Sequence, residues 1–153
     1  MKILKQLTFI ILFSGLISSC NSLRTAAFDQ YSYQKAIEIK IDSKNLIGKA
    51  TTPYSDHLQE IGNLALEIEK IKEYEKNKIN NEITYTMWKI LTDKNKNLLV
   101  GFFKRWKDKK TLSPVFVSEA QKQIMETLDL LIQYEAKKDK ESKGKLLDLI
   151  SNN

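Results

Sequence analysis

Few side chains in this chain are of a type that does chemistry, and their spacing narrows the chemistry further. Among 153 residues there is one cysteine, Cys20, and one histidine, His57. One cysteine excludes a disulfide within the chain. Free cysteine is among the residue types most often buried, but Cys20 stands at the end of an apolar run, directly after Ile17-Ser18-Ser19. His57 alone cannot close a structural zinc site, which takes several Cys or His ligands. The residue three before it is Tyr54, so the Glu-x-x-His pattern of di-iron bundles is missing too. His57 reads as a boundary side chain with a polar partner, and no metal or cofactor is assigned. A Gly-x-Ser-x-Gly nucleophile elbow is absent, and glycines 48, 62, 101 and 144 are scattered singly rather than gathered into a phosphate-cradling loop. The carboxylate pairs Glu67/Glu69, Glu73/Glu75 and Glu119/Glu126 are candidates for acid–base work on a glycan. On amphipathic helices such residues more often form the solvated face. The expectation is a protein that is not an enzyme.

One segment has a marked chemical character. Gly101–Lys110 interleaves Lys104, Arg105, Lys107, Lys109 and Lys110 with Phe102, Phe103 and Trp106. Lys104, Arg105, Trp106, Lys107, Lys109 and Lys110 are candidates for contact with an anionic partner: lipid head groups, lipopolysaccharide phosphates or an acidic wall polymer. A structural reading competes. Basic residues in the last turns of a helix complement its dipole, while Phe102 and Trp106 extend an apolar stripe. Gly101 admits a close neighbour or marks a kink. Tyr85, Leu99 and Phe103 lie off the main stripe and would form a partner patch if exposed together.

The first twenty residues have the layout of an export signal. Lys2 and Lys5 form a short positive region, Leu7–Ile17 is an apolar run, and Ser18 and Ser19 are small residues before Cys20. The run is too short to cross a hydrocarbon core, which takes about 20 helical residues. Ile17-Ser18-Ser19-Cys20 resembles the lipobox of bacterial lipoproteins: an aliphatic residue, two small residues, then cysteine. The resemblance implies a diacylglycerol thioether on Cys20, cleavage just before it and acylation of the new amino group. Two or three acyl chains anchor firmly where one does not, at about 0.8 kcal/mol per buried CH₂. It also implies residence in a bacterial cell envelope. No acidic cluster follows Cys20, and Asn21-Ser22-Leu23-Arg24 favours the outer membrane with the domain facing the periplasm.

Removal of residues 1–19 leaves residues 20–153, a length that suits one domain. The precursor's net charge of +6 falls by the two lysines lost with the signal. A mildly basic, sign-mixed chain of this kind does not indicate nucleic acid. Five glycines and two prolines argue for long helices over a turn-rich β-sandwich.

The elements then follow from periodicity. Residues 20–25 read as a lipidated tether. A helix is expected over 26–49, with Tyr33, Ile37, Ile41 and Lys44 as its stripe and Ala36 and Ile47 beside it. A strand-like alternation over 31–42 competes, but no second strand exists to pair with it. Thr52-Pro53 opens a second helix to about residue 77, with Leu58, Ile61, Ala65, Ile68 and Ile71 inward and Tyr54 and Tyr74 at the ends. A third, about 82–108, carries Trp88, Leu91, Asn95, Leu98, Phe102 and Trp106, with a kink or break at Thr92–Asn97 and Thr92 as cap. Ser113-Pro114 opens a fourth, to 137, along Phe116, Ala120, Ile124, Leu128, Leu131 and Tyr134. Residues 138–153 are expected to be a polar, mobile, charged tail in which Leu146, Leu147, Leu149 and Ile150 dock weakly or not at all.

These elements predict an all-α fold: an antiparallel up-down four-helix bundle over residues 26–137. Small helical-bundle lipoproteins of unassigned function are similar in outline and add no activity. The functional expectation is a lipid-anchored, non-enzymatic adaptor or accessory subunit that binds a partner protein or envelope polymer. An immunity or inhibitor lipoprotein that neutralises a toxin or lytic enzyme is the alternative, and a small-ligand carrier is another.

Overall fold

A computed structural model describes residues 25–152. Cys20, its lipobox and the signal segment therefore lie outside the described residues. Within them the fold is all-helical: α1 Gln30–Gly48, α2 Leu58–Asn77, α3 Glu82–Leu91, α4 Leu99–Lys109, α5 Pro114–Lys137 and α6 Lys140–Ser151. A 3₁₀ turn, Tyr54–His57, leads into α2. Six helices stand where the periodicity predicts four, for two local reasons.

The first is the break between α3 and α4. Thr92 closes α3 by donating its hydroxyl to the Trp88 carbonyl (2.7 Å), so it ends one helix and does not cap the next. Asp93 then accepts from the backbone N–H of Asn95 (2.8 Å) and folds the polar loop back. Asn95, expected inside the stripe, is exposed on that loop. The chain returns so closely that a Cβ on Gly101 would stand 1.8 Å from the Lys96 carbonyl oxygen. Only glycine leaves that room.

The second reason is at the C-terminal end, where the expected mobile tail is instead the helix α6. Asp139 caps it, accepting from the Ser142 backbone N–H (2.8 Å) and the Ser142 hydroxyl (2.7 Å). Its charges lie outward, with Lys145 paired to Glu141 at 2.8 Å. Ser142 and Leu146, one helical turn apart, face inward, and Leu146 is fully buried. A leucine so placed contributes about 1.5–3 kcal/mol. The helix packs on α5 and α3.

The long helices pack by a register that differs in part from the expected stripes. On α1 the buried face is Ser32, Ala36, Ile39, Ser43, Leu46 and Ile47, whereas Ile41 is 53% exposed. Two serines on the inner face disguise it as polar in the sequence, and small residues there admit α5 closely. Lys40 pairs with Asp129, and Gln121 donates to the Lys44 carbonyl (2.7 Å). The Leu112 N–H reaches the Ala50 carbonyl (2.8 Å), which sets the segment before α5 beside the segment after α1. On α2 the buried residues are Ile61, Leu64, Ile68, Ile71 and Glu75; Leu58 and Ala65 are exposed. Thr52 does not cap α2, because its hydroxyl donates to the Lys49 carbonyl (2.7 Å). Ser113 does cap α5, with Pro114 at the first position and Phe116 N–H donating at 3.3 Å.

Candidate functional site

Two places combine unusual chemistry with defined geometry: the basic face of α4 and, elsewhere in the fold, a buried cluster of charges.

On α4, Leu99, Phe102, Phe103 and Trp106 are buried, so the apolar half of the basic–aromatic segment belongs to the core. Trp106 is 0% exposed, and its indole N–H donates to the Thr52 carbonyl (2.9 Å). Its edge meets Tyr54 at 5.4 Å and its ring leans on His57 at 5.5 Å. Expected as a partner contact, Trp106 instead fastens α4 to the turn before α2. Lys104, Arg105, Lys107, Lys109 and Lys110 are all exposed. Lys104 pairs with Asp108 (2.8 Å), and Arg105 stands over the Phe116 ring at 4.4 Å. Leu99 and Phe103 are buried, which dissolves the patch they were to form with Tyr85.

Helical geometry sends the α4 cations to two sides. Lys104 and Lys107 point toward α2, where they border a groove of about 370 Å³. Ile61, Leu64, Ala65 and Ile68 of α2 and Val100 and Phe103 of α4 line it, with Tyr54, Lys94 and Asp108 completing the walls. The groove is therefore apolar inside and carries three lysines and one carboxylate at its edge, Asp108 being paired with Lys104. Among the described residues Lys94 and Lys107 form no ion pair within 4.0 Å, although Lys107 helps Lys104 hold the Asp108 carboxyl below its ordinary value.

His57 shares its ring nitrogens with Thr52 Oγ1 (2.7 Å) and Glu60 Oε1 (3.0 Å), the polar partners of a boundary histidine. Glu67 and Glu73 lie on the solvated side with lysine partners. Glu75 does not, and it leads to the second place.

Glu75 is 1% exposed, as is Glu135. Around them gather Asp29 and Ser32 from the start of α1, Lys78 after α2, Asn81 and Thr84 at the start of α3, and Lys138 after α5. Lys138 Nζ lies 2.7 Å from Glu135 Oε1, and the Thr84 hydroxyl donates to the same oxygen at 2.5 Å. Lys78 Nζ reaches Asp29 Oδ2 and Ser32 Oγ, each at 3.0 Å, and approaches Glu75 Oε2 at 3.8 Å. Asn81 gives its amide hydrogens to the Glu75 carbonyl oxygen (3.1 Å) and carboxylate.

Environment tunes these groups in opposite directions. Burial, together with the nearby Glu135 charge, pushes the Glu75 carboxyl above the ordinary carboxylate value. Burial pushes the Lys138 ammonium down, against the pull of Glu135. At Asp29 burial works upward but is outweighed by hydrogen bonds from Tyr74 and Lys78, which hold the carboxyl down at about 2. Tyr74, donating to Asp29 at 2.7 Å, is correspondingly raised to about 12.

The sequence does carry a signal for this cluster. Ile61, Leu64, Ile68, Ile71 and Glu75 keep the spacing of one helical face, as do Ile124, Leu128, Leu131 and Glu135. Each stripe ends on a glutamate at its next inward position. Reading carboxylates as solvent-facing by type conceals that register.

Among the described residues no group of three His, Cys, Asp or Glu side chains is placed to hold a metal ion, and no helix is long and apolar enough to cross a membrane. The chain matches no protein-family model, no curated protein and no solved structure.

Proposed function

We propose that this chain is a lipid-anchored, non-enzymatic adaptor of a bacterial cell envelope, whose α2–α4 groove grips an acidic amphipathic segment of a partner protein. The observation that carries the reading is the groove: an apolar floor of Ile61, Leu64, Ile68, Val100 and Phe103 beneath a rim in which Lys94, Lys104 and Lys107 outnumber the one carboxylate, Asp108. Apolar floors accept the buried side of an amphipathic helix, and lysines at the edge select acidic flanks and raise the association rate. An anionic polymer alone would leave the floor unused. The groove opens to solvent, which suits side chains of a partner better than an enclosed small ligand. The anchor is the lipid on Cys20, set in the outer membrane with the domain facing the periplasm. The long helices α1, α2 and α5 with the broken pair α3–α4 are read as the antiparallel up-down bundle, and α6 as an addition to it.

Two measurements test this. Labelled helical peptides sharing one apolar face, flanked by glutamates in one and lysines in the other, are titrated by fluorescence anisotropy. The acidic peptide is expected to bind and the basic one not. Lys94→Glu with Lys107→Glu is expected to weaken binding at least about tenfold, roughly 1.4 kcal/mol, and added salt to weaken it as well. Equal binding of both peptides, or indifference to the charge reversal, overturns the groove reading. Charge-dependent binding to anionic phospholipid vesicles without peptide binding would assign the face to lipid instead.

Independently, cells labelled with a radioactive palmitate precursor are expected to incorporate label into the wild-type chain and none into Cys20→Ala. Equal labelling of the two removes the anchor.

A further inference from the structure

The hydrogen-bond inventory of the buried cluster does not balance. Lys78 serves Asp29 and Ser32, Lys138 serves Glu135, and Tyr74 serves Asp29. Both Asn81 amide hydrogens go to Glu75, and the Thr84 hydroxyl goes to Glu135. The single Ser32 hydroxyl proton is within reach of Asp29 (3.1 Å) and of Glu75. Three buried oxygens remain without a partner: Glu75 Oε1, Glu135 Oε2 and Asn81 Oδ1. All three are acceptors. What the cluster lacks is a donor.

The charges are out of balance in the same sense. Three carboxylates, Asp29, Glu75 and Glu135, face two ammonium groups, Lys78 and Lys138. An excess negative charge held away from water is costly. One hydrogen on a carboxylate corrects both deficits, because it cancels the extra charge and converts an orphan acceptor into a donor. Glu75 is the carboxylate without a close cation: Lys78 is 3.8 Å from it, against 3.0 Å to Asp29, and Lys138 lies 2.7 Å from Glu135.

We propose that this junction is a one-proton site: the folded chain holds a hydrogen on Glu75, and separation of the helix ends releases it. The site lies where five helices meet the chain's entry to the fold. Asp29 is the N-cap of α1, Asn81 the N-cap of α3, and Lys138 the left-handed C-cap of α5 that turns the chain into α6. The α6 carboxylate nearest in sequence, Asp139, is engaged in capping Ser142. Thr25, just inside the described residues, meets Lys143 of α6 at 3.4 Å. Proton loss therefore weakens the end of the fold that receives the segment from the proposed anchor.

The direction of the pH effect follows from linkage. Glu75 binds its proton more tightly folded than unfolded. Its contribution is complete below the unfolded value and is lost as pH rises through the folded one. Asp29 acts oppositely and elsewhere: held at about 2, it stabilises above its ordinary value of 3.8, and that contribution disappears as pH falls toward 2. The two windows do not overlap.

The test uses the full chain, unfolded in urea between pH 4.5 and about 8, with Glu75→Gln as the control for every other titrating group, the lowered Lys138 ammonium included. From the ordinary carboxylate value of 4.5 upward, the unfolding equilibrium constant is expected to grow about tenfold per pH unit, the slope of one linked proton, until Glu75 ionises. Glu75→Gln, neutral at every pH and carrying the missing donor, is expected to flatten that slope. Carbon-13 NMR of the Glu75 side-chain carboxyl in the unaltered chain reads the same proton directly, even if the variant fails to fold. A Glu75 resonance titrating at its ordinary value overturns the proposal, as does a slope that Glu75→Gln leaves in place.

Discussion

Trp106→Ala is expected to lower the unfolding free energy by about 3–5 kcal/mol, the range for removing a fully buried tryptophan. The side chain is fully enclosed, packs edge-on to Tyr54 and against His57 and Phe103, and donates to the Thr52 carbonyl. The loss combines transfer of the ring, the cavity it leaves and one lost hydrogen bond. Trp106→Phe separates these: it retains most of the packing but removes the hydrogen bond to the carbonyl of Thr52, an exposed residue, which costs about 0.5–1.5 kcal/mol. Urea unfolding followed by far-UV circular dichroism reads both variants. A loss under about 1 kcal/mol for alanine would mean that α4 is not fastened through this residue. Because Trp106 holds α4 beside the turn before α2, the alanine variant is also expected to bind the acidic peptide more weakly with every groove lysine in place.

The second large effect is expected at Lys138. Lys138→Met keeps the aliphatic stem and leaves Glu135 without its cation in a site 1% exposed. Removing one member of a buried ion pair costs about 3–5 kcal/mol. Methionine is chosen because it bears the same left-handed backbone penalty as lysine at φ 51°, so the change in stability reports charge and not backbone. Lys138→Met combined with Glu135→Leu is expected to recover much of the loss, since a pair replaced by apolar side chains of similar size is often neutral. A double variant no more stable than the single would show that the cost is steric.

The register of the inner faces explains how far periodicity alone reaches. Where an element's inward positions are apolar, spacing and burial agree: Ile61, Ile68 and Ile71 on α2, and Ala120, Ile124, Leu128, Leu131 and Tyr134 on α5. Where inward positions are Ser32, Ser43, Glu75 or Glu135, residue type points the other way. The inner face of α1 is accordingly displaced from Tyr33, Ile37 and Ile41, and the charged junction is hidden. Helix starts divide similarly. Ser113-Pro114 caps α5 as its chemistry suggests, but Thr52 is drawn to the Lys49 carbonyl, so its side chain caps no helix.

The basic–aromatic segment with which the chemistry began shows the same division. Sequence alone determined that five cations and three aromatics are interleaved within ten residues, where a helical period sorts them onto two faces whatever surrounds it. It also determined the all-α class, since few turn residues and repeated apolar spacings of three and four favour helices, and the one strand-like alternation, over 31–42, has no partner strand. Tertiary structure decided which face meets what. It sank Trp106 beneath Thr52, opened an apolar groove beside Lys94, Lys104 and Lys107, and folded the charged C-terminal stretch into α6. Above all it brought Asp29, Glu75, Lys78, Glu135 and Lys138 together across 109 positions of chain. Burial, and with it the proton affinity of a carboxylate, depends on neighbours far away in sequence, and no local pattern encodes that.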